Sequence, residues 1–178
     1  MSRKSLSSSA RRAALPAILG ALAVVLTVAE FMLPPLSLPA LPGIRLGLAN
    51  VAIIFATRRC SLKTSIFVAA IKLFASALLS GTVSGFLFSA AGTLLSFLAM
   101  VILVRTLGDA VGETGVSVAG AFMHNVGQSA VSLLLFGSAV LYYLPFLFFS
   151  SVITGIVTGT AAHFALLASD KSKFTVKN

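Results

Sequence analysis

The residues best suited to chemistry in this sequence are polar side chains that interrupt long apolar stretches. Lys72 stands within such a stretch, between Ile66 and Ala75. A charge inside an apolar helix is costly, which makes it a functional candidate by default. We expect Lys72 either to bind the anionic group of a ligand or to pair with a carboxylate, for which Glu30 is the candidate partner.

Arg45 is the second candidate, because it follows Pro42 and Gly43 and opens an apolar run. The first turn of a helix presents N–H groups without helical partners and partial positive charge. An arginine there binds carboxylate or phosphate through two parallel hydrogen bonds. The pattern indicates an anion site at Arg45, with Asn50 lining the same cavity. The alternative is a surface charge facing water or lipid headgroups.

A third set of polar residues, His124, Asn125 and Gln128, lies within another apolar stretch. His124 and Gln128 are four residues apart and share a helix face, whereas Asn125 is displaced by about 100°. Buried, these side chains need partners, which are either neighbouring helices or polar groups of a ligand. Partner ligands at metal-binding spacing are lacking, so we predict no metal.

Motifs for catalysis are absent from the sequence. Asp109 and Asp170 are the only aspartates, so no aspartate cluster is available to hold magnesium against a diphosphate. The sequence contains no P-loop for ATP and no combination of nucleophile, base and orienting residue. The single cysteine, Cys60, excludes an intramolecular disulfide. We therefore expect neither enzymatic activity nor a cofactor.

Composition identifies the elements that must position these residues as membrane helices. Of 178 residues, 58% are hydrophobic and 10% are charged, whereas soluble domains have about 25% charged residues. The formal net charge of +9 comes from 13 Lys and Arg against 4 Asp and Glu. These cations lie mostly in short segments between apolar runs, which is typical of membrane topology and not of nucleic-acid binding.

The apolar runs predict an all-α membrane protein with six transmembrane helices. They are expected at 13–33, 46–57, 64–80, 82–105, 116–140 and 142–168. The first is read as a retained helix and not as a cleaved signal peptide. The second is short and follows a proline-rich segment, so that segment must occupy part of the membrane depth or cap it. The domain organisation is a basic tail at 1–12, a transmembrane domain at 13–168 and a basic tail at 169–178.

The positive residues predict which side of the membrane each loop occupies. With six spans, eleven of the thirteen cations fall on one side, which the positive-inside rule makes cytoplasmic. They are Arg3, Lys4, Arg11, Arg12, Arg58, Arg59, Lys63, Arg105, Lys171, Lys173 and Lys177. We expect a multi-pass protein of the plasma membrane with both termini in the cytoplasm. Five spans, with a re-entrant second helix, would place the C-terminal lysines outside.

Ala13, Ala17 and Ala21 place small side chains on one face of the first helix. Such spacing allows close approach of another helix in lipid. That helix belongs either to this bundle or to a separate membrane protein.

Two segments together resemble a known family. Residues 42–50, Pro-Gly-Ile-Arg-Leu-Gly-Leu-Ala-Asn, and 124–128, His-Asn-Val-Gly-Gln, look like the signatures of the heptaprenyl diphosphate synthase component I family, also called the Gx transporter family. The architecture is similar to that of the substrate-binding S components of energy-coupling factor (ECF) transporters. The resemblance implies a six-helix bundle that uses a membrane coupling protein and separate ATPases, with Ala13, Ala17 and Ala21 as the docking face.

These features lead to two hypotheses of function. The first is a substrate-binding subunit for uptake of a small anionic, vitamin-like compound, with Arg45, Lys72, Asn50, His124, Asn125 and Gln128 as ligand-binding residues. The second is a non-catalytic accessory subunit of prenyl diphosphate or quinone biosynthesis. A third possibility is a purely structural subunit of a larger complex, and the buried polar residues argue against it.

Overall fold

The computed structural model describes residues 3–32 and 47–171, with side chains at 14–32 and 47–170, and within those ranges it consists of helices and the short turns that join them. Six α-helices follow one another along the chain. They are α1 (Arg3–Met32), α2 (Asn50–Arg59), α3 (Leu62–Ser80), α4 (Val83–Leu107), α5 (Glu113–Phe136) and α6 (Leu144–Lys171). Short 3₁₀ helices at Gly108–Ala110 and Gly137–Tyr143 join α4 to α5 and α5 to α6. The prediction of an all-α fold is confirmed over the described residues.

Four stretches of the described chain are long and apolar enough to cross a membrane, in agreement with the membrane class that the composition predicts. They are Ala14–Met32, Leu62–Ser80, Val83–Ala110 and Glu113–Asp170. The last contains 58 residues and includes both α5 and α6. Their outer surface carries large exposed apolar side chains, such as Leu134 and Val83, while polar side chains such as Lys72 and His124 are buried. This reversal of the soluble pattern suits a lipid environment.

The count of six spanning helices is not supported by helix length, because five of the six helices are long and α2 is not. Helix α2 has 10 residues, which is about 15 Å against a hydrocarbon core of about 30 Å. Two local features explain its length. Gly47, with a φ of 78°, opens the short turn that leads into α2, and Cys60 leaves the helix in an extended conformation after Arg58 and Arg59.

Helix α2 lies at the centre of the bundle, because it packs against each of the five long helices. The long helices follow one another around it in the order α1, α3, α4, α5 and α6. Its buried residues Ala52, Ile53, Ile54 and Ala56 form an apolar core with residues of the surrounding helices, among them Leu19, Val68, Met100, Val116 and Ala162. The apolar core therefore occupies the half of the bundle that α2 fills.

Helix ends are fixed by residues suited to capping. The Ser61 and Thr82 hydroxyls accept hydrogen bonds from the Thr64 and Gly85 N–H groups and so cap the starts of α3 and α4. Gly81, with a φ of 59°, ends α3 in the left-handed region and allows a short connection to α4. These caps hold α3 and α4 antiparallel, with Lys72 and Ser96 near their middles.

Candidate functional site

The start of α2 carries the central polar contact of the bundle. Lys72 lies near the middle of the 19-residue helix α3 and is 2% exposed, and Asn50, the first residue of α2, is 3% exposed. The Lys72 ammonium Nζ donates a hydrogen bond of 2.7 Å to Asn50 Oδ1. A charged group is thus held at mid-depth of the bundle by a neutral amide.

Ser96 on α4 fixes the other half of the Asn50 side chain. The amide Nδ2 of Asn50 donates to Ser96 Oγ at 3.3 Å. An amide has one acceptor oxygen and one donor nitrogen, so the two contacts determine its orientation. Asn50 thereby links α3 and α4 and presents its oxygen to Lys72.

Glu30, near the end of α1, is 8% exposed and also reaches the chain just before α2. Its carboxylate accepts a hydrogen bond from the Gly47 backbone N–H. The Gly47 carbonyl in turn accepts from the Asn50 N–H at 2.9 Å. A Cβ at Gly47 would lie 2.9 Å from Asn50 Nδ2 in a backbone conformation that favours glycine. Glu30 and Lys72 therefore flank the same turn, and an ion pair between them stays a prediction.

His124 and Gln128 lie on one face of α5 and are 3% and 1% exposed. The His124 ring packs against Gly92 of α4, where a Cβ would lie 2.8 Å from His124 Cε1. Gly92 precedes Ser96 by one helical turn, so it shares a face of α4 with the partner of Asn50. The structure thus places the His124 face of α5 beside the Asn50–Lys72 contact.

Asn125 is directed elsewhere. Its amide Nδ2 donates to the Leu147 carbonyl of α6 at 2.8 Å. This contact joins α5 to α6, as expected of a side chain displaced by about 100° from His124. The structure does not bring Asn125 to Lys72, and its role in ligand binding stays a prediction.

Two predicted contributors lie wholly or partly outside the described residues. Arg45 and the proline-rich segment before it fall within 33–46, outside the described residues. Of the alanines expected to dock a partner, Ala17 and Ala21 are exposed on α1, whereas the Ala13 side chain is outside the described set.

The opposite end of α2 carries a network of charges. Arg58 donates to the Gly108 carbonyl at 2.8 Å and to the Val111 carbonyl, and it lies 3.6 Å from Asp109. Arg59 pairs with Asp170 near the end of α6. His163 on α6 lies 3.1 Å from Glu113. These contacts gather the ends of α2, α4 and α6 and the start of α5 on one face, which we call the Arg58 end.

An apolar groove of about 370 Å³ runs along α6 beside the segment that leads into α2. Its lining residues are Leu48, Phe146, Phe149, Ser150, Ile153, Thr154 and Val157. The Ser150 and Thr154 hydroxyls bond backbone carbonyls of their own helix, so the groove offers mainly apolar surface. Leu48 places it two residues from Asn50.

Sequence reasoning missed the hydroxyl groups of α4. Ser89, Thr93 and Ser96 are all buried, and Ser96 contacts Asn50 directly. Their spacing of four and three residues within an apolar helix could have indicated a polar interior face. Within the described ranges, no three His, Cys, Asp or Glu side chains are grouped to hold a metal ion.

Residues 19–166 match the family model described as heptaprenyl diphosphate synthase component I, which confirms the family that the two segments resemble. No curated protein and no solved structure gives a significant match to the chain.

Proposed function

This chain belongs to the heptaprenyl diphosphate synthase component I family, and we propose that it is a membrane-embedded substrate-binding subunit for uptake of a small anionic compound. The observation that carries the proposal is the buried Lys72–Asn50 contact at the start of α2. The contact combines a buried positive charge with an amide that can both donate and accept hydrogen bonds. An ionisable side chain at this depth of an apolar bundle is a candidate for binding an anionic ligand.

The surrounding side chains give such a site its hydrogen-bonding capacity. His124 and Gln128 approach from α5, Ser96 from α4 and Glu30 from α1. Polar groups placed at a few points in an otherwise apolar pocket orient a ligand and provide specificity. Arg45, five residues before Asn50, belongs to the proposed site by sequence proximity alone.

Energy for uptake would come from partner proteins, as in ECF transporters, with the chain as the S component in the plasma membrane and both termini in the cytoplasm. The exposed faces of Ala17 and Ala21 favour a docking surface on α1 for a membrane coupling protein. Two separate ATPases would act through that coupling protein. The chain itself would be non-enzymatic.

The apolar groove favours a second candidate function, an accessory subunit in prenyl diphosphate or quinone biosynthesis. Leu48 brings the groove close to Asn50 and Lys72 in sequence and in the fold. A prenyl diphosphate would place its apolar chain in the groove and its diphosphate near Lys72. The description of the family agrees with this alternative.

Purification from native membranes in mild detergent, followed by mass spectrometry, tests these two proposals against each other. Transport predicts recovery of a membrane coupling protein and ATPases, and loss of both in an Ala17→Trp, Ala21→Trp variant. Ala70→Trp, on an exposed position of α3, is the matched control and should retain them. Recovery of a soluble aspartate-rich synthase without ATPases would overturn the transport proposal and support the accessory role.

A further inference from the structure

Threonine hydroxyls beyond the first turn of each helix follow one rule, with a single exception among the described residues. Six of them donate to the backbone carbonyl four residues earlier, at distances of 2.7 to 3.0 Å. They are Thr27, Thr57, Thr106, Thr154, Thr158 and Thr160. This local bond satisfies a hydroxyl that would otherwise face an apolar environment.

Thr93 in α4 departs from that rule. It is 3% exposed, and its hydroxyl Oγ1 has no hydrogen-bond partner in the part of the chain that the structure describes. A buried polar group left unsatisfied is destabilising, and a partner was available one turn earlier in its own helix. The side chain is therefore placed as if for a partner outside the described part of the chain, such as a bound ligand.

The position of Thr93 indicates where that partner lies. Gly92 faces His124 on α5, and Thr93 lies about 100° further around the helix. Ser96, which bonds Asn50, falls between these two directions. Thr93 thus points away from α5, toward the centre of the bundle and α3, the helix that carries Lys72.

We propose that Thr93 is a ligand-contacting residue that donates a hydrogen bond to the same anionic group that Lys72 binds. This inference rests on the proposed anion-binding function and narrows the chemical class of the ligand. The bound group must accept hydrogen bonds from both the ammonium and the hydroxyl. A phosphate or diphosphate, with several acceptor oxygens, meets this requirement.

Isosteric substitution separates a ligand contact from a structural role. Thr93→Val removes only the hydroxyl, and Thr93→Ser retains it. Thr158→Val is the matched control, because Thr158 is also 3% exposed but bonds the Thr154 carbonyl and the Ser117 hydroxyl. Each full-length variant is purified in detergent, and its melting temperature and its affinity for sodium diphosphate are measured by thermal shift and calorimetry. Lys72→Met is measured in parallel.

We expect Thr93→Val to keep or raise the melting temperature without ligand, since it removes an unsatisfied group. Its diphosphate affinity should fall by about tenfold to a hundredfold, the range for a hydrogen bond to a charged group. Thr93→Ser should retain affinity within about threefold. Thr158→Val should melt earlier and bind diphosphate as the wild type does.

Three results would overturn the inference. Unchanged diphosphate affinity in Thr93→Val would remove the hydroxyl from the site, even if Lys72→Met abolished binding and so supported the proposed function. Destabilisation of Thr93→Val as large as that of Thr158→Val would show that the hydroxyl serves the protein itself. Failure of the wild type to bind diphosphate saturably would overturn the role of Thr93 and, with it, a phosphate-binding site at Lys72.

Discussion

Lys72 and Asn50, 22 residues apart in the sequence, meet at the centre of the bundle through a hydrogen bond of 2.7 Å between Nζ and Oδ1. The contact joins the Lys72 cation to an amide that has the same shape as an aspartate carboxylate. Replacing Asn50 by Asp therefore tests the role of the Lys72 charge without changing the shape of the side chain. Ser96 Oγ on the other side of the amide is able to accept or to donate a hydrogen bond.

We expect Asn50→Asp to abolish binding of anionic ligands while leaving the melting temperature unchanged or higher. The new carboxylate would neutralise Lys72 directly, and Ser96 would donate to it. Asn125→Asp is the isosteric control, because it replaces the donor to the Leu147 carbonyl with a like-charged acceptor and should cost about 3 kcal/mol or more. Thermal unfolding in detergent measures both variants, and a large loss of stability in Asn50→Asp would contradict the arrangement.

Gly127 sets the spacing between α4 and α5. A Cβ there would lie 2.5 Å from the Ala91 carbonyl oxygen, which is backbone and cannot rotate away. We expect Gly127→Ala to reduce the free energy of unfolding by about 1–3 kcal/mol through overpacking. Gly112→Ala is the control, since nothing lies within 4 Å of its added Cβ. Equal stability of the two variants would be inconsistent with the close helix contact.

Arg58 holds the turn between α4 and α5 through two backbone carbonyls, those of Gly108 and Val111. We expect Arg58→Ala to expose this turn to protease and to reduce the free energy of unfolding by about 3 kcal/mol. Arg58→Lys should restore little, because a lysine lacks the planar fork that reaches both carbonyls. The control variant Arg105→Ala, at an exposed position of α4, should be cleaved by the protease at the same rate as the wild type. Resistance of Arg58→Ala to proteolysis would rule out this role.

The Arg58 end is expected to face the cytoplasm. In a Cys60→Ser background, single cysteines at Ala110 and Ser138 report the two ends of α5, and both positions are exposed. A membrane-impermeant maleimide applied to intact cells should label Ser138→Cys and should reach Ala110→Cys only after permeabilisation. The Cys60→Ser protein without an added cysteine controls for labelling of groups other than the introduced thiols. The reverse labelling pattern would show that the Arg58 end faces outward.

Burial raises the pKa of the Cys60 thiol above its usual value, because an apolar environment disfavours the thiolate. The thiolate is the reactive form, so a raised pKa lowers the reaction rate at neutral pH. We expect wild-type Cys60 to react with iodoacetamide more slowly at pH 7.5 than the exposed cysteine of Cys60→Ser, Ala110→Cys. The reaction rate of Cys60 should also continue to rise to a higher pH than that of the exposed cysteine. Coincident pH profiles of the two thiols would exclude a raised pKa at Cys60.

The apolar helices and the buried positions of Lys72, Asn50, His124 and Gln128 follow from the sequence, because charged or amide side chains within apolar runs are conspicuous and must lie inside the bundle. The length of α2 was harder to predict. Its apolar run begins at Leu46, but the helix begins at Asn50, since Gly47 adopts a positive φ and donates its N–H to Glu30.

Individual hydrogen-bond partners could not be predicted, for a physical reason. Asn125 and His124 are neighbours in the chain, yet Asn125 bonds α6 while the His124 ring packs on α4. Which helix lies across each face is decided by tertiary packing and not by local spacing. Ser96 was not predicted for the same reason. An uncharged serine in an apolar helix is inconspicuous in the sequence, and only the fold shows that Asn50 lies opposite it.

The half-length of α2 has a consequence for how the protein is made. A segment with about 15 Å of helix is too short to partition stably into lipid as an independent span. It gains its apolar contacts from helices that the ribosome synthesises later, including α5 and α6. We therefore expect chains truncated after α2 to leave residues 50–59 accessible to protease, and chains extended through α6 to protect them. The centre of this protein is completed last, although it is encoded near the beginning.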